Sequence, residues 1–232
     1  MKVDVVIPTM RKPSLPQVQH HLAQIGCLGS IVVADFFPVD KLESRHELPV
    51  HTKHIEITGH QHFNKSIAIN IGFHFTSSEL VAICDADILL DADFFTQAIG
   101  LFDERPQERL AVTPKHVRES ADGSRRPAPG VCLLHRDTFL ELQGFCNAYR
   151  GWGLEDRDFL SRLSLIGVVI EELASGIHLS HGNEERIRNY HSTSLGEMRQ
   201  KNWELFCERK ERSIIEGTLT NDILTNKFHE LT

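Results

Sequence analysis

No stretch of about 18 apolar residues occurs in this chain of 232 residues, so no membrane-spanning helix is expected. Positive charge is also in short supply. Lys and Arg number 25 against 32 Asp and Glu, which leaves a net charge of −7. A broad basic face for nucleic acid is therefore not indicated. Cysteine is sparse and shows no CxxC spacing: Cys27, Cys84, Cys132, Cys146 and Cys207 are odd in number. Reduced thiols in a cytosolic protein are expected, not a disulfide framework. The opening apolar run Val3 to Ile7 carries Asp4 within it, and reads as a first strand rather than a signal peptide. No glycine-rich phosphate loop follows it. Pro8-Thr9-Met10-Arg11 stands there instead, which counts against a nucleotidyltransferase.

What is present alternates between short apolar runs and helical spacing. Val3 to Ile7, Ile31 to Ala34, Val50 to Ile57, Leu80 to Cys84, Val131 to Leu134 and Val168 to Ile170 read as strands. Ser14 to Gly26, Asn64 to Phe75, Asp93 to Phe102, Asp137 to Leu142, Asp156 to Leu165 and Ser194 to Ile215 read as helices. Residues 118 to 130 read as a polar loop. This order predicts an α/β domain with a mostly parallel central sheet. In such sheets ligands sit beyond the carboxyl ends of the strands. Pro8, Asp35 and Asp85 all fall at such ends. With no repeat and no linker, one domain with a helical tail is the simplest organisation.

Three clusters carry chemistry. Asp85-Ala86-Asp87 closes the run Leu80 to Cys84. Two carboxylates one residue apart can hold a divalent cation, Mg²⁺ or Mn²⁺, together with hydroxyls of a nucleotide-sugar. Such a cation would neutralise a diphosphate leaving group. The plain alternative is a solvated turn, which the buried strand in front disfavours. Gly151-Trp152-Gly153-Leu154-Glu155-Asp156-Arg157-Asp158 sets an aromatic ring beside clustered carboxylates. Unpaired buried carboxylates are too costly for a core segment. Trp152 offers a platform for a sugar ring, and Asp156 is the candidate general base for an acceptor hydroxyl. The competing reading makes Glu155, Asp156 and Asp158 helix-start acids. His178-Leu179-Ser180-His181 could complete a metal shell, although 14 histidines make either one weak on its own. Together the clusters suggest a metal-dependent glycosyltransferase.

In order, the motifs resemble those of GT-A fold glycosyltransferases, most closely the animal Golgi galactosyltransferase and bacterial chondroitin-polymerase branch. The resemblance spans roughly residues 3 to 190. Phe63-Asn64-Lys65-Ser66-Ile67-Ala68-Ile69-Asn70-Ile71-Gly72-Phe73 looks like that family's FNRAxxxNxGF helix. Asp85-Ala86-Asp87 matches its metal motif. Gly130 to Arg136, with Phe139 and Gly144-Phe145, leads to the counterpart of GWGGEDDD at Gly151 to Asp158. His178 and His181 match its late metal-ligand pair.

The resemblance implies a GT-A catalytic domain over residues 1–190 and a helical extension of it over 191–232. It implies that Pro8, Thr9, Arg11, Asp35, Phe63 and Lys65 lie by the nucleotide. Asp87, His181 and His178 would bind the metal, and Asp85 would touch ribose or metal. Trp152, with Gly153, would stack on sugar, Glu155 would hold hydroxyls, and Asp156 would be the base of an inverting transfer. Leu154 departs from the family's glycine and Lys65 from its arginine, and His178 stands where methionine is frequent. The loop Arg125-Arg126-Pro127-Ala128-Pro129 lacks the donor-selecting aromatic residue, so UDP-galactose is not implied. The expected partners are a UDP-sugar and a carbohydrate, lipid-linked or small-molecule acceptor. Cytoplasmic location is expected, with membrane-face contact or a homodimer possible through the charged helix Ser194 to Ile215. The alternatives are a nucleotidyltransferase or a non-catalytic nucleotide-sugar or glycan-binding protein of the same fold.

Overall fold

The computed structural model describes residues 1–10, 13–36, 51–126, 129–182, 184, 187, 190 and 194–231. Strand β1 (Val3–Thr9) is buried along its whole length, as its β-branched run requires. It lies between β2 (Leu28–Asp35) and β4 (Leu80–Cys84), parallel to both. Its one charge, Asp4, is tied down by the Ser30, Ser77 and Ser78 amides and the Ser78 hydroxyl. Burial pushes this carboxyl up, but those donors outweigh it and hold the pKa below the ordinary value. Pro8 is tolerated because β4 pairs only as far as Val6, so no partner there needs an amide from residue 8.

Strand β3 (Thr52–Thr58) extends the parallel block beyond β2. On the other side, β7 (Val131–His135) runs antiparallel to β4, followed by β6 (Leu110–Glu119) and β8 (Val169–His178), which are parallel to each other. The short β5 (Ile88–Leu90) and β9 (Lys227–Leu231) close the two edges, both antiparallel to their neighbours. The order is β5-β8-β6-β7-β4-β1-β2-β3-β9. The pairings leave β1, β2, β3, β4, β6 and β8 pointing one way, so the sheet is mixed but mostly parallel, as expected.

Alternation along the strands feeds two apolar layers. Val3, Val5 and Ile7 pack against α1 (Leu15–Ala23) and α3 (Phe94–Glu104) through Val18, Leu22, Phe94 and Phe95. Val6, Val81 and Ile83 face the opposite way. They meet α2 (Lys65–His74), α4 (Arg136–Glu141) and α5 (Glu155–Leu165) through Ile69, Phe139 and Phe159.

Three sequence expectations change. Strand β6 was not anticipated, and it takes in the start of the segment read as a loop. The short strand at Val168 to Ile170 is the ten-residue β8, whose half-exposed residues give no apolar run. The tail is not purely helical: after α6 (Leu195–Glu211) and α7 (Leu219–Thr225) the chain returns to the sheet as β9. Among the described residues no helix is long and apolar enough to cross a membrane.

Helix α6 is fastened by charge. Asp158, in the first turn of α5, is buried between Arg162 Nε at 2.7 Å and Arg209 Nε at 2.9 Å, and Tyr149 donates its hydroxyl at 3.0 Å. Removing one member of a buried charge group leaves the others uncompensated. Asp158→Ala should therefore destabilise the fold by about 3–5 kcal/mol, read by urea denaturation. A loss below about 1 kcal/mol would show that the two arginines find water or other partners.

Candidate active site

The carboxyl ends of β1 and β4 open into a cleft of about 330 Å³. Pro8, Thr9, Phe63, Lys65, Asp85 and Asp87 form one part of its lining, and Trp152, Gly153, Glu155, Asp156 and His181 another. The Asp85 amide donates to Gly130 O at 2.9 Å, which holds the segment after β4 against the start of β7. Gly130 has φ of 60°, and a Cβ there would lie 2.6 Å from Asp85 Oδ2. Glycine at this left-handed position leaves room for the Asp85 carboxylate.

Asp87, His178 and His181 form a cluster whose ligand atoms all lie within 4.8 Å of one another. His181 Nε2 is 3.1 Å and His178 Nε2 3.4 Å from Asp87 Oδ2. Behind them stands Glu119, at the end of β6. Burial pushes the Glu119 carboxyl up, but the Ser180 hydroxyl and the His178 ring outweigh it and keep the pKa below the ordinary value. An ionised carboxylate only accepts, so His178 Nδ1 is the donor in their 2.6 Å bond. In the neutral ring the Nε2 lone pair is then turned to Asp87. This nitrogen is buried and makes no hydrogen bond among the described residues. A carboxylate and two imidazoles, one oriented from behind by a carboxylate, are a donor set that fits a divalent cation. Nitrogen ligands suit Mn²⁺ better than Mg²⁺. Asp85 is not part of this trio.

Asp85 instead faces Lys65, whose ammonium lies 2.7 Å from Asp85 Oδ1. Lys65 donates to both Asp156 oxygens, at 2.9 and 2.8 Å, and stands 3.7 Å from Glu155. Burial works against this ammonium, but Asp156, Asp85 and Glu155 together raise its pKa well above the usual lysine value. Burial also raises Asp85, helped by Asp156 and Asp87 and opposed by Lys65. Glu155 is pushed up to about 7 by burial and by Asp156, again against Lys65.

The acids stand at the first turn of α5, where the helix dipole favours them. They do not cap it: Leu154 at the N-cap position, with φ of 77°, makes no side-chain capping bond. Gly151 has φ of 75°, and a Cβ there would lie 2.1 Å from Met198 Sδ of α6. The same helix supplies Asn202, which bonds Arg150 N, Arg150 O and Gly153 O, and Arg199, which stands over the Trp152 ring at 5.8 Å. Trp152 is thus a half-exposed platform with one face under a cation.

The expected site residues separate as follows. Asp87, His178 and His181 come together, as do Lys65, Asp85, Glu155 and Asp156. Asp35 lies at the end of β2 in register with Thr9, but it is buried 3.4 Å from His54 and outside the cleft lining. Asp158 belongs to the Arg162–Arg209 cluster and not to the cleft. Arg11 lies outside the described residues. Sequence reasoning gave no role to Glu119 or Arg199. It also missed Arg126, which lies 3.9 Å from Asp85 and 3.8 Å from Asp87. The pair Arg125-Arg126 in a polar loop was the only signal for the last.

Residues 114–187 match the family model described as the N-terminal domain of galactosyltransferase. Mouse (Mus musculus) beta-1,4-galactosyltransferase 2 is 35% identical over 118 residues, covering 48% of this chain and 30% of the mouse protein. The chain thus matches less than a third of that relative's length. A mutant of Drosophila β1,4-galactosyltransferase 7, solved with manganese, UDP-Gal and xylobiose, aligns with a TM-score of 0.58 at 18% identity. That alignment covers 87% of this chain and 79% of the fly protein. A mannosyltransferase of Pyrobaculum calidifontis, solved with GDP-Man and Mn²⁺, aligns with a TM-score of 0.62 at 17% identity, covering 82% of this chain and 59% of that one. The fold is that of the GT-A glycosyltransferases. Within it, the sequence likeness lies with the galactosyltransferase branch.

The Glu155 shift has a consequence for stability. Between its ordinary value of 4.5 and about 7, the folded chain keeps a proton that the unfolded chain has released. Stability therefore falls as pH rises through that window. Glu155→Gln removes this contribution. It should be more stable than the parent by about 2–3 kcal/mol at pH 8, with the difference vanishing below about pH 4.5. Thermal melts across pH check this, and a gap that widens towards acid pH would contradict it.

Proposed function

We propose that the chain is a metal-dependent GT-A glycosyltransferase that moves a sugar from a UDP-sugar to an acceptor hydroxyl with inversion at the anomeric carbon. The observation that carries this reading is the Asp87–His178–His181 trio, of which Asp87 and His181 line the cleft, and beside it in the same cleft the carboxylate of Asp156. The divalent-cation complexes of both structural neighbours support the metal, and the UDP-Gal complex of the fly enzyme supports the nucleotide. Asp85-Ala86-Asp87 then serves as a DxD motif, with Asp87 on the metal and Asp85 on the ribose side. Mn²⁺ is the cation we favour from the nitrogen ligands. When bound, it would neutralise charge developing on the diphosphate.

The chain's own residues supply the rest. Asp87, His178 and His181 would hold the cation, with Glu119 fixing the His178 ring. Pro8, Thr9 and Phe63 line the nucleotide side of the cleft. Trp152 and Gly153 give the sugar a face to stack on, and Glu155 lies where it can hold hydroxyls. Asp156 is the base. It takes the proton of the acceptor hydroxyl as that oxygen bonds to the anomeric carbon. The bond from that carbon to the diphosphate oxygen breaks, its electron pair leaves with UDP, and the configuration inverts. Lys65 aims the Asp156 carboxylate through its two hydrogen bonds. The acceptor is proposed to be a carbohydrate, as xylobiose in the fly complex suggests. Five free thiols favour a reducing compartment, and the cytoplasm is the location we propose.

Calorimetric titration should find UDP binding that requires Mn²⁺ and is abolished in Asp87→Ala. UDP binding indifferent to Mn²⁺ would sink the proposal. Asp156→Asn should lower kcat by about 10²- to 10⁴-fold while UDP affinity stays intact, because general-base catalysis is worth that order. Proton NMR of the product should show a β-glycoside from an α-linked donor. An α-linked product would remove Asp156 from the role of base.

A further inference from the structure

We propose that Arg126 stands in for the metal's charge before nucleotide binds and then turns to the donor's diphosphate, so that it opposes metal binding and favours nucleotide binding. The inference rests on the function proposed above.

Arg126 is placed by its backbone. Its amide donates to Val117 O at 2.8 Å, and Arg125 bridges to Arg118, so the segment returns along β6. The side chain is 14% exposed and runs to the gap between the two motif carboxylates. Nη2 lies 3.9 Å from Asp85 Oδ2 and Nη1 3.8 Å from Asp87 Oδ1. Both separations are too long for hydrogen bonds. Nη1 is buried and makes no hydrogen bond among the described residues. A guanidinium does not give up its proton in a protein, and a buried N–H without an acceptor is unfavourable. Arg126 is therefore a fixed positive charge, attracted to Asp85 and Asp87 but hydrogen-bonded to neither. Lys65 differs, since Asp156 and Asp85 already occupy its ammonium.

A dication held by Asp87, His178 and His181 would place further positive charge within a few ångströms of this guanidinium. The two repel, and at so buried a position the repulsion is weakly screened. Without an anion present, Arg126 should weaken metal binding. A diphosphate reverses the sign. Its oxygens can accept from the planar N–H fork in a paired geometry that an ammonium cannot match. Metal and nucleotide then bind cooperatively, each lowering the other's dissociation constant by the same factor.

The full chain is titrated with Mn²⁺ alone, followed by electron paramagnetic resonance, and with UDP at saturating Mn²⁺ by calorimetry. Arg126→Gln should bind Mn²⁺ severalfold more tightly than the parent and UDP about tenfold more weakly. Arg126→Lys should keep the parent's weak Mn²⁺ affinity, since the charge remains, yet lose UDP affinity, since the fork is gone. A merely structural role predicts that both affinities fall together in Arg126→Gln. That result, or unchanged values for both ligands in a parent that binds normally, overturns the inference alone. A parent with no Mn²⁺-dependent UDP binding overturns the glycosyltransferase reading and this inference with it.

Discussion

The cleft depends on the ammonium of Lys65 and the three carboxylates drawn around it. Asp85 arrives from the end of β4, while Glu155 and Asp156 arrive from the first turn of α5, and all lie within 3.7 Å of the one nitrogen. Without a cation there, acids from separate elements would repel one another in a site that burial already makes unfavourable for charge. With it, the end of β4 and the start of α5 are drawn to a common point. Lys65 can do this because it opens α2, whose cap Asn64 accepts from the Ile67 amide and donates to Asn147 O and Tyr149 O. One asparagine thus fixes both the helix that carries the cation and the segment that leads to the acids.

Much of the parallel half was legible because its residues lie in uninterrupted apolar runs. Val3 to Ile7 and Leu80 to Cys84 are buried on both faces, as such continuous runs require. The site acids were legible for the opposite reason: their clustering beside Trp152 had no plausible place in a core. What could not be read were partners far apart in sequence. Asp158 carries the same chemistry as Asp156 two residues away, yet helical geometry turns it inward to Arg209, which lies 51 residues further on. His178 is held by Glu119 across 59 residues. Strand β8 hid because only two of its ten residues are buried, so its pattern was neither alternating nor continuous.

Helix α6 lies mostly outside the catalytic centre, and Trp203 on its outer face is 44% exposed. Its buried face, however, reaches the site's own loop: Met198 fills the space over Gly151, and Asn202 holds the backbone on both sides of Trp152. The electrostatic fastening at Asp158 and the hydrogen bonds of Asn202 therefore act on the same element. The loop that presents the aromatic platform is positioned by a segment beyond the part of the chain that matches the galactosyltransferase model.

The β3–β9 pairing sets an order of events during synthesis. The strands meet across 169 residues, from Thr58 to Lys227. Strand β3 can join β2 early, but its outer edge must then wait, unpaired, while nearly all of the remaining sheet is made. An open strand edge is a template for pairing with other chains. Until the last strand is made, the outer edge of β3 has no partner strand of its own chain, an interval that spans most of the remaining synthesis. Five residues, Lys227 to Leu231, bring that interval to a close.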